Sequence, residues 1–260
     1  QNKLDVIGHN IANVNTAGYK SQSYMFKEAM YQTSTTSTSG SGSTGGSGGV
    51  NAAQYGYGTL MGSIWVDMTS STPTQMGGLT ATIDGEGFFM TMSTMNAGGI
   101  NAGVANSDTV KGTNFQYTRV GQFKIDSDGY LVDSNSNNFV YGFQPTGGNA
   151  FTTTGFDTTK LTPIRVCNES GVIKLAGTNA NDIAVATSVK IDSEGKITVG
   201  IKTTDTSTTP ASVLIKEAVI GQVAIATFQN QEGLTKAGGS YYTTSKGDNA
   251  GLCETSAPGS

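Results

Sequence analysis

A change in hydrophobic spacing along this chain limits what it can fold into. Near the amino terminus, four aliphatic side chains recur at spacings of three, four and three: Leu4, Ile7, Ile11 and Val14. That spacing is typical of a helix whose apolar seam packs on other helices. Gly18 then supplies the left-handed position that closes many helices. After Val50 the spacing shifts towards two, the period of a β-strand. The sequence therefore predicts a mainly β protein with an N-terminal amphipathic helical arm.

The β part is predicted to consist of short antiparallel strands and hairpins. Two similar turns, Asp126-Ser-Asp-Gly129 and Asp192-Ser-Glu-Gly195, each lie between apolar segments. In each turn Asp initiates the reversal and Gly takes the positive-φ position at its end. Phe88 is expected to begin a strand, and the run from 219 to 228 is the most apolar of the chain, which predicts a buried strand.

The composition divides the chain into three expected segments. Residues 1–32 are predicted to be a helical arm, and residues 50–260 a β domain. Between them, residues 33–49 contain almost only Ser, Thr and Gly. Such a sequence cannot bury enough apolar area to offset its ordering entropy, so we expect a flexible linker or a surface loop.

Charge and composition exclude several classes of function. Only 13% of the residues are charged, against roughly 25% in ordinary soluble domains. This deficit favours uncharged β surfaces that face the cell exterior. The net charge of −4 gives no basic footprint for nucleic acid. No stretch approaches the roughly 18 apolar residues that span a membrane. Because the first residue is Gln, we expect a fragment of a longer chain, so the lack of a leader pattern in these residues carries no conclusion.

The residue pattern predicts no enzyme, no cofactor and no metal site. His9 is the single histidine and is distant in sequence from any nucleophile. The pattern Gly45-Gly-Ser47-Gly-Gly49 imitates a nucleophile elbow but lacks the strand and helix that this motif needs. Asp126-x-Asp128-Gly129 lacks the further oxygen ligands of a calcium loop, and turn chemistry explains it. Arg119 is expected to make a structural ion pair or a subunit contact rather than to bind a ligand.

Two cysteines, Cys167 and Cys253, have no metal-ligand spacing. The sequence leaves a disulfide between them open, and we favour two unpaired thiols.

Residues 5–20, DVIGHNIANVNTAGYK, resemble the N-terminal signature of the bacterial flagellar rod and hook proteins. Asn10 to Asn15 match its core, whereas His9 stands where many members carry Asn. Four later segments are similar to the family in the expected order: 48–60, 83–89, 117–132 and 220–242. Ordered matches over most of the chain are more specific than any one motif.

This resemblance implies a self-polymerising subunit of the flagellar axis, exported by the type III apparatus without a cleaved leader. In the family, terminal helices form an inner tube and the β part forms the outer wall. The resemblance therefore assigns the seam of Leu4, Ile7, Ile11 and Val14 to a subunit interface. Rod proteins and hook–filament junction proteins are the implied partners, and the extracellular flagellum is the implied location.

Within the family, the sequence favours a hook subunit, which transmits torque by bending, over a distal rod protein. The insertion Thr33–Gly49 and the closing segment 228–233 favour it. Residues 144–180 resemble a small insertion. Some hooks of this family join subunits through a Cys and a Lys, which would give Cys167 a covalent role. From another class, an extracellular β-rich adhesin or carbohydrate-binding module is the alternative.

Overall fold

The structure, a computed structural model, describes residues 1–69, 78–146, 155–167, 185–205 and 212–259. Strands account for 47% of the residues and helices for 11%, which confirms the predicted mainly β class with an N-terminal helix. The chain divides into two compact units, residues 1–67 and 68–260.

The first unit contains one helix and two separate two-stranded antiparallel sheets. Its elements are α1 (Asn2–Ala12), β1 (Gln22–Glu28), β2 (Tyr31–Thr35), β3 (Ala53–Gly56) and β4 (Thr59–Val66). β1 pairs with β4, and β2 pairs with β3. A bulge between Met25 and Phe26 interrupts the register of the first pair.

The prediction of helix as far as residue 32 is wrong beyond Ala12. Helix α1 ends there, and the chain turns through Gly18, whose φ is +67°, before β1 begins. The spacing of four between Phe26 and Met30 suggested a helix. The strand was not evident because Tyr24, Met25 and Phe26 are three apolar residues in succession, so β1 shows no alternation; the extra residue of the bulge, Gly62, lies in the partner strand β4.

Residues 33–49 do not connect two domains in the way that a linker would. They form the outer end of the β2–β3 hairpin, where Thr38 and Val50 pair as an isolated bridge. The chain therefore leaves and re-enters the same two-stranded sheet. Residues 53–66 then lie in the first unit, whereas the sequence suggested that the β domain begins at residue 50.

The second unit is one antiparallel sheet of fifteen strands within the described residues, with a short helix, α2 (Ser107–Gly112). The first strands are β5 (Leu79–Thr80), β6 (Phe88–Met92), β7 (Ile100–Asn101), β8 (Gln116–Thr118), β9 (Gln122–Ile125), β10 (Leu131–Asp133), β11 (Phe139–Thr146) and β12 (Gly155–Pro163). The later strands are β13 (Val185–Ile191), β14 (Lys196–Asp205), β15 (Ser212–Val223), β16 (Ile225–Phe228), β17 (Thr235–Gly238), β18 (Tyr241–Thr243) and β19 (Cys253–Ser256). The main path runs β13-β14-β15-β11-β6-β8-β18-β17.

Strand β6 lies at the centre of the sheet and separates two cores. Successive side chains of a strand point to opposite faces. Phe88 and Met90 accordingly join one buried cluster with Tyr117 and Phe143, while Phe89 joins another with Phe123. A third, smaller cluster contains four buried side chains, which come from β14, β15 and the segment after β12: Val166, Val199, Ile201 and Ala218. Because both faces are covered, every residue of β6 is buried, including Thr91.

Both predicted hairpins are present. In the first, the Gly129 N–H donates to the Asp126 carbonyl, and Gly129 has φ +80°. In the second, the Gly195 N–H donates to the Asp192 carbonyl, and Gly195 has φ +68°. The side chain of each Asp also accepts a backbone N–H two residues later, which is the Asx turn that the sequence indicated.

The apolar run 219–228 is largely buried as predicted, but it is divided between β15 and β16 at Ala224. Of the alternating residues 79–83, only Leu79 and Thr80 form a strand. The insertion predicted at 144–180 lies partly outside the described residues; within them, β12 pairs with β11.

Candidate subunit interface

The predicted apolar seam lies on the surface of α1. Leu4 is 71% exposed, Ile7 43%, Ile11 68% and Val14 76%. No residue of the helix is buried. The helix therefore presents its apolar side to solvent, which is the arrangement expected of a surface that packs on another helix.

Asparagine side chains after the seam fix where the chain goes next. The Asn10 amide donates to the Gln22 carbonyl at 2.8 Å and accepts the Gln22 N–H at 3.0 Å, so that it pairs with the first residue of β1 like a neighbouring strand. The Tyr19 hydroxyl donates to the same Asn10 oxygen at 2.8 Å. These bonds tie the end of α1 to the start of β1. The sequence reasoning missed this role, although the run of Asn residues was its signal.

His9 packs against Tyr19 in the turn that follows α1. Its Nδ1 atom lies 2.8 Å from the Tyr19 hydroxyl, and the two rings lie 5.5 Å apart. The Asn13 side-chain amide donates to the His9 carbonyl at 2.9 Å, and the Asn13 backbone N–H donates to the same carbonyl at 3.2 Å. The polar residues of the signature thus build the turn between α1 and β1.

The first unit exposes further large apolar side chains. Tyr24 and Ile64 are cross-strand partners in β1 and β4, as are Phe26 and Met61. Residues opposite each other on paired strands share a face. The exposed large apolar side chains in the four strands of this unit and the segments between them are Met25, Phe26, Met30, Tyr31, Val50, Tyr55, Tyr57, Leu60, Met61, Ile64 and Trp65. Among residues 1–67, all of which are described, Lys20 alone is buried.

Such a unit lacks a hydrophobic core. A two-stranded sheet is only marginally stable in water by itself, and large exposed apolar surfaces are typical of interaction sites. The seam is therefore one part of a larger apolar surface, and the strand faces of β1 and β4 are the part that the sequence reasoning did not identify. The consecutive apolar residues of β1 and the extra residue Gly62 of β4 concealed the alternation.

Cys167 lies in the second unit beside the Asp126–Gly129 turn. Cys167 is half-buried and Cys253 is buried, and neither thiol forms a disulfide. The Arg165 guanidinium donates to the carbonyls of Cys167 and Asp128 at 3.0 and 3.1 Å. Arg165 also lies over the Tyr130 ring, 5.0 Å from its centroid. The cysteine is thus held in a defined position against the hairpin.

Cys253 is unsuited to reaction. Burial raises the pKa of its thiol to about 12, although the charge of Lys111 acts in the opposite direction. The thiolate, which is the nucleophilic form, is therefore scarce. The Cys253 backbone N–H donates to the Ser107 hydroxyl at 2.8 Å. This hydrogen bond connects β19 to α2.

Arg119 does not form the predicted ion pair within the described residues. Its guanidinium donates to the Gly87 carbonyl at 3.0 Å and lies over the Phe88 ring, 5.1 Å from the centroid. Burial lowers the pKa of Arg119, and the charge of Glu86 partly offsets this. The residue therefore holds β8 against the turn before β6.

Among the described residues, no group of three or more His, Cys, Asp or Glu side chains is arranged to hold a metal ion. In the same part of the chain, no helix has the length and hydropathy needed to cross a membrane.

Comparison with known proteins identifies the relatives of this chain. The family described as "Flagella basal body rod protein" matches residues 1–20. The flagellar basal-body rod protein FlgG of Bacillus subtilis is 31% identical over 249 residues, covering 94% of this chain and 69% of that protein. The flagellar hook protein FlgE of Borreliella burgdorferi is 31% identical over 134 residues, 51% of this chain and 26% of that protein.

The flagellar hook protein FlgE of Treponema pallidum is likewise 31% identical, over 144 residues that cover 55% of this chain and 27% of that protein. The chain thus spans about a quarter of each hook protein and more than two thirds of the rod protein. The exposed helix and its asparagine-rich turn coincide with the region that the family match covers. This chain belongs to the flagellar rod and hook protein family, whose members are structural subunits of the flagellar axis.

Proposed function

We propose that this chain is a subunit of the bacterial flagellar hook, which polymerises with copies of itself into a flexible tube that transmits torque from rod to filament. The observation that carries the proposal is the exposure of the α1 seam in a unit that has no core. We expect the first unit to be stable when copies of the chain bury its exposed apolar side chains.

Energetics indicate that α1 is one of several contacts. Burying an aliphatic side chain contributes about 1.5–3 kcal/mol, whereas association costs at least about 4 kcal/mol in lost freedom, with further losses for ordering side chains. Four seam residues leave little surplus. The exposed faces of β1 and β4 supply additional apolar area, and we propose that they are buried in the same polymer.

A hook subunit is favoured over a distal rod subunit by the insertion Thr33–Gly49 and by the closing segment 228–233. The hairpin that contains this insertion extends an exposed, uncharged surface. When a tube bends, neighbouring subunits slide along each other. Weak polar contacts between such surfaces can then be replaced by similar contacts at a small cost in free energy. The distal rod protein is the second candidate, because FlgG aligns with 94% of this chain.

Deleting the gene in the source bacterium and imaging purified basal bodies tests this assignment. A hook subunit predicts complete rods with no hook, and immunogold labelling of wild-type flagella on the extracellular hook. Rods that stop short would support the distal rod protein instead. Flagella of normal appearance would overturn both assignments and leave the adhesin or carbohydrate-binding alternative.

Partners and covalent linkage are part of the same proposal. As a hook subunit the chain contacts rod proteins at one end and hook–filament junction proteins at the other, outside the cell. The linkage of subunits through Cys167 stays a prediction. Denaturing gels of assembled material test it, with Cys167→Ser as the control: complete dissociation of the wild-type polymer to monomer would remove the linkage.

A further inference from the structure

A groove of about 500 Å³ opens on the second unit. Its volume lies within the range of roughly 300–1,000 Å³ that is usual for binding clefts. Phe89 and Val223 form part of its lining together with the half-exposed side chains of Ile83, Ile191 and Ile225. These five side chains form the apolar part of the lining, called here the apolar floor, beside a larger polar part.

The charges of the groove all have one sign. Asp84, Glu86 and Asp192 line it, and no Lys, Arg or His is among its described lining residues. Two of these carboxylates already interact with other groups. Glu86 interacts electrostatically with the Arg119 guanidinium. Asp192 accepts the Glu194 N–H at 2.6 Å within its own turn. The exposed Asp84 forms no hydrogen bond or ion pair with the described residues. It is the rim charge available to a cation.

The first unit presents a surface of complementary character. Lys27 and Leu60 are cross-strand partners in β1 and β4, so their side chains share a face. Leu60 is 54% exposed, and Lys27 is exposed without an ion pair to the described residues. A lysine beside an exposed aliphatic side chain matches a groove that has an apolar floor and a carboxylate at its rim.

We infer that the groove of one subunit receives the Lys27–Leu60 face of a second copy of this chain, with the Lys27 ammonium against Asp84 and Leu60 on the apolar floor. This inference rests on the proposed function, because it names a contact of the polymer. It also explains what covers part of the apolar surface that the first unit leaves open. Like charges placed at such a contact would oppose association.

Charge reversal in the full-length protein tests the contact. Asp84→Lys and Lys27→Glu should each raise the critical concentration for polymerisation by about tenfold. The double variant Asp84→Lys/Lys27→Glu should restore polymerisation to near the wild-type value. Asp128→Lys, which makes the same charge change at an exposed turn outside the groove, is the matched control and should polymerise normally. Thermal unfolding of each monomer checks that the fold is retained.

Each outcome decides between the contact and its alternatives. If Asp84→Lys polymerises like Asp128→Lys, the groove is not a subunit contact. If Asp84→Lys impairs assembly and the double variant does not recover, a surface other than Lys27 occupies the groove and the inference is wrong. If wild-type full-length protein forms no polymer under any condition tested, the proposed function itself fails.

Discussion

The Lys111 ammonium lies 2.8 Å from the Asp248 carboxylate, and it also donates to the Gly251 carbonyl at 2.8 Å. The side chain of Lys111 is 3% exposed and that of Asp248 is 16% exposed. Asp248 also accepts three further hydrogen bonds, from Thr244, Ser245 and Ala250. The pair thus ties α2 to the loop before β19, with both charges satisfied.

Removing one member of this pair should destabilise the second unit strongly. Lys111→Met leaves the Asp248 carboxylate without its counter-ion, which typically costs about 3–5 kcal/mol for a buried pair. The control is Lys246→Met, whose ammonium lies 3.1 Å from Asp108 with both side chains mostly exposed; such a pair contributes about 0–1 kcal/mol. Urea unfolding measures both. Equal losses in the two variants would contradict the structural role of Lys111.

Asp248 should make stability depend on pH below 4. Burial alone would raise the pKa of Asp248, but hydrogen bonds from Lys111, Thr244 and two backbone N–H groups outweigh it and lower the pKa to about 2. Because the unfolded carboxyl has a pKa near 4, the stabilisation is complete above pH 4 and is lost as the pH falls towards 2.

Urea titrations at pH 5, 3 and 2 measure this effect. The wild type should lose unfolding free energy across that range more steeply than Asp248→Asn, in which no proton binds at this position. Parallel losses would show that other carboxyls cause the acid sensitivity.

The turn glycines should differ in their tolerance of side chains. A Cβ at Gly129 would lie 2.1 Å from the Cys167 carbonyl oxygen, and one at Gly195 would lie 2.6 Å from the Pro258 ring. Both residues have positive φ, which by itself costs a β-branched residue about 1–3 kcal/mol. Gly247 has φ +83° with open space around it, so Gly247→Val measures this strain alone.

We therefore expect Gly129→Val to lower the thermal midpoint most, then Gly195→Val, then Gly247→Val, because a backbone carbonyl yields less than a proline side chain. The three midpoints test that order. If all three coincide, crowding adds nothing to the cost of positive φ.

Asn10→Ala should release the start of β1 from α1. The substitution removes two hydrogen bonds to Gln22 and one from Tyr19, each worth about 1 kcal/mol. Hydrogen exchange of the Gln22 amide should accelerate about tenfold or more, while amides of β6 stay protected. Asn15→Ala is the control, because no such bond joins Asn15 to β1. Unchanged exchange at Gln22 would show that the turn is held by other contacts.

Ile11→Asp in the full-length protein should abolish polymers and leave the melting of the second unit nearly unchanged. The charge falls in the middle of the exposed seam, where burial against another subunit would leave it unpaired. Asp5→Asn, on the same helix but outside the seam, is the control and should assemble. Normal polymerisation of Ile11→Asp would exclude α1 as an axial contact. Melting of the second unit at a lower temperature would place the helix in that unit's own core.

Local chemistry explains which parts of the fold could be predicted from the sequence. The turns at Gly129 and Gly195 were predictable because an Asp and a Gly at fixed spacing determine a turn without help from the rest of the chain. The spacing of Leu4, Ile7, Ile11 and Val14 likewise defines one side of a helix. Their assignment to an interface stays a prediction that the Ile11 variant tests.

Features that depend on distant residues were not predictable. The strand at Phe26 was not predictable because Tyr24, Met25 and Phe26 are consecutive apolar residues and hide the period of two. The pairing of Asn10 with Gln22 requires a chain reversal that no propensity indicates. Similarly, Asp84, Ile191 and Val223 come from three separate parts of the sequence, so their groove exists only once the sheet has formed.

The division of one apolar run at Ala224 has a mechanical consequence. On one side of it, β15 pairs with β11 through Val223 and Gln222, and on the other, β16 pairs with β6 through Ile225 and Ala226. Hydrogen bonds between antiparallel strands are perpendicular to the strands. A pull along this segment therefore loads both sets of bonds together, in shear, instead of opening them one after another. Tension applied to β15 therefore passes to β16 along the chain itself, and from β16 to β6 through the hydrogen bonds between those two strands.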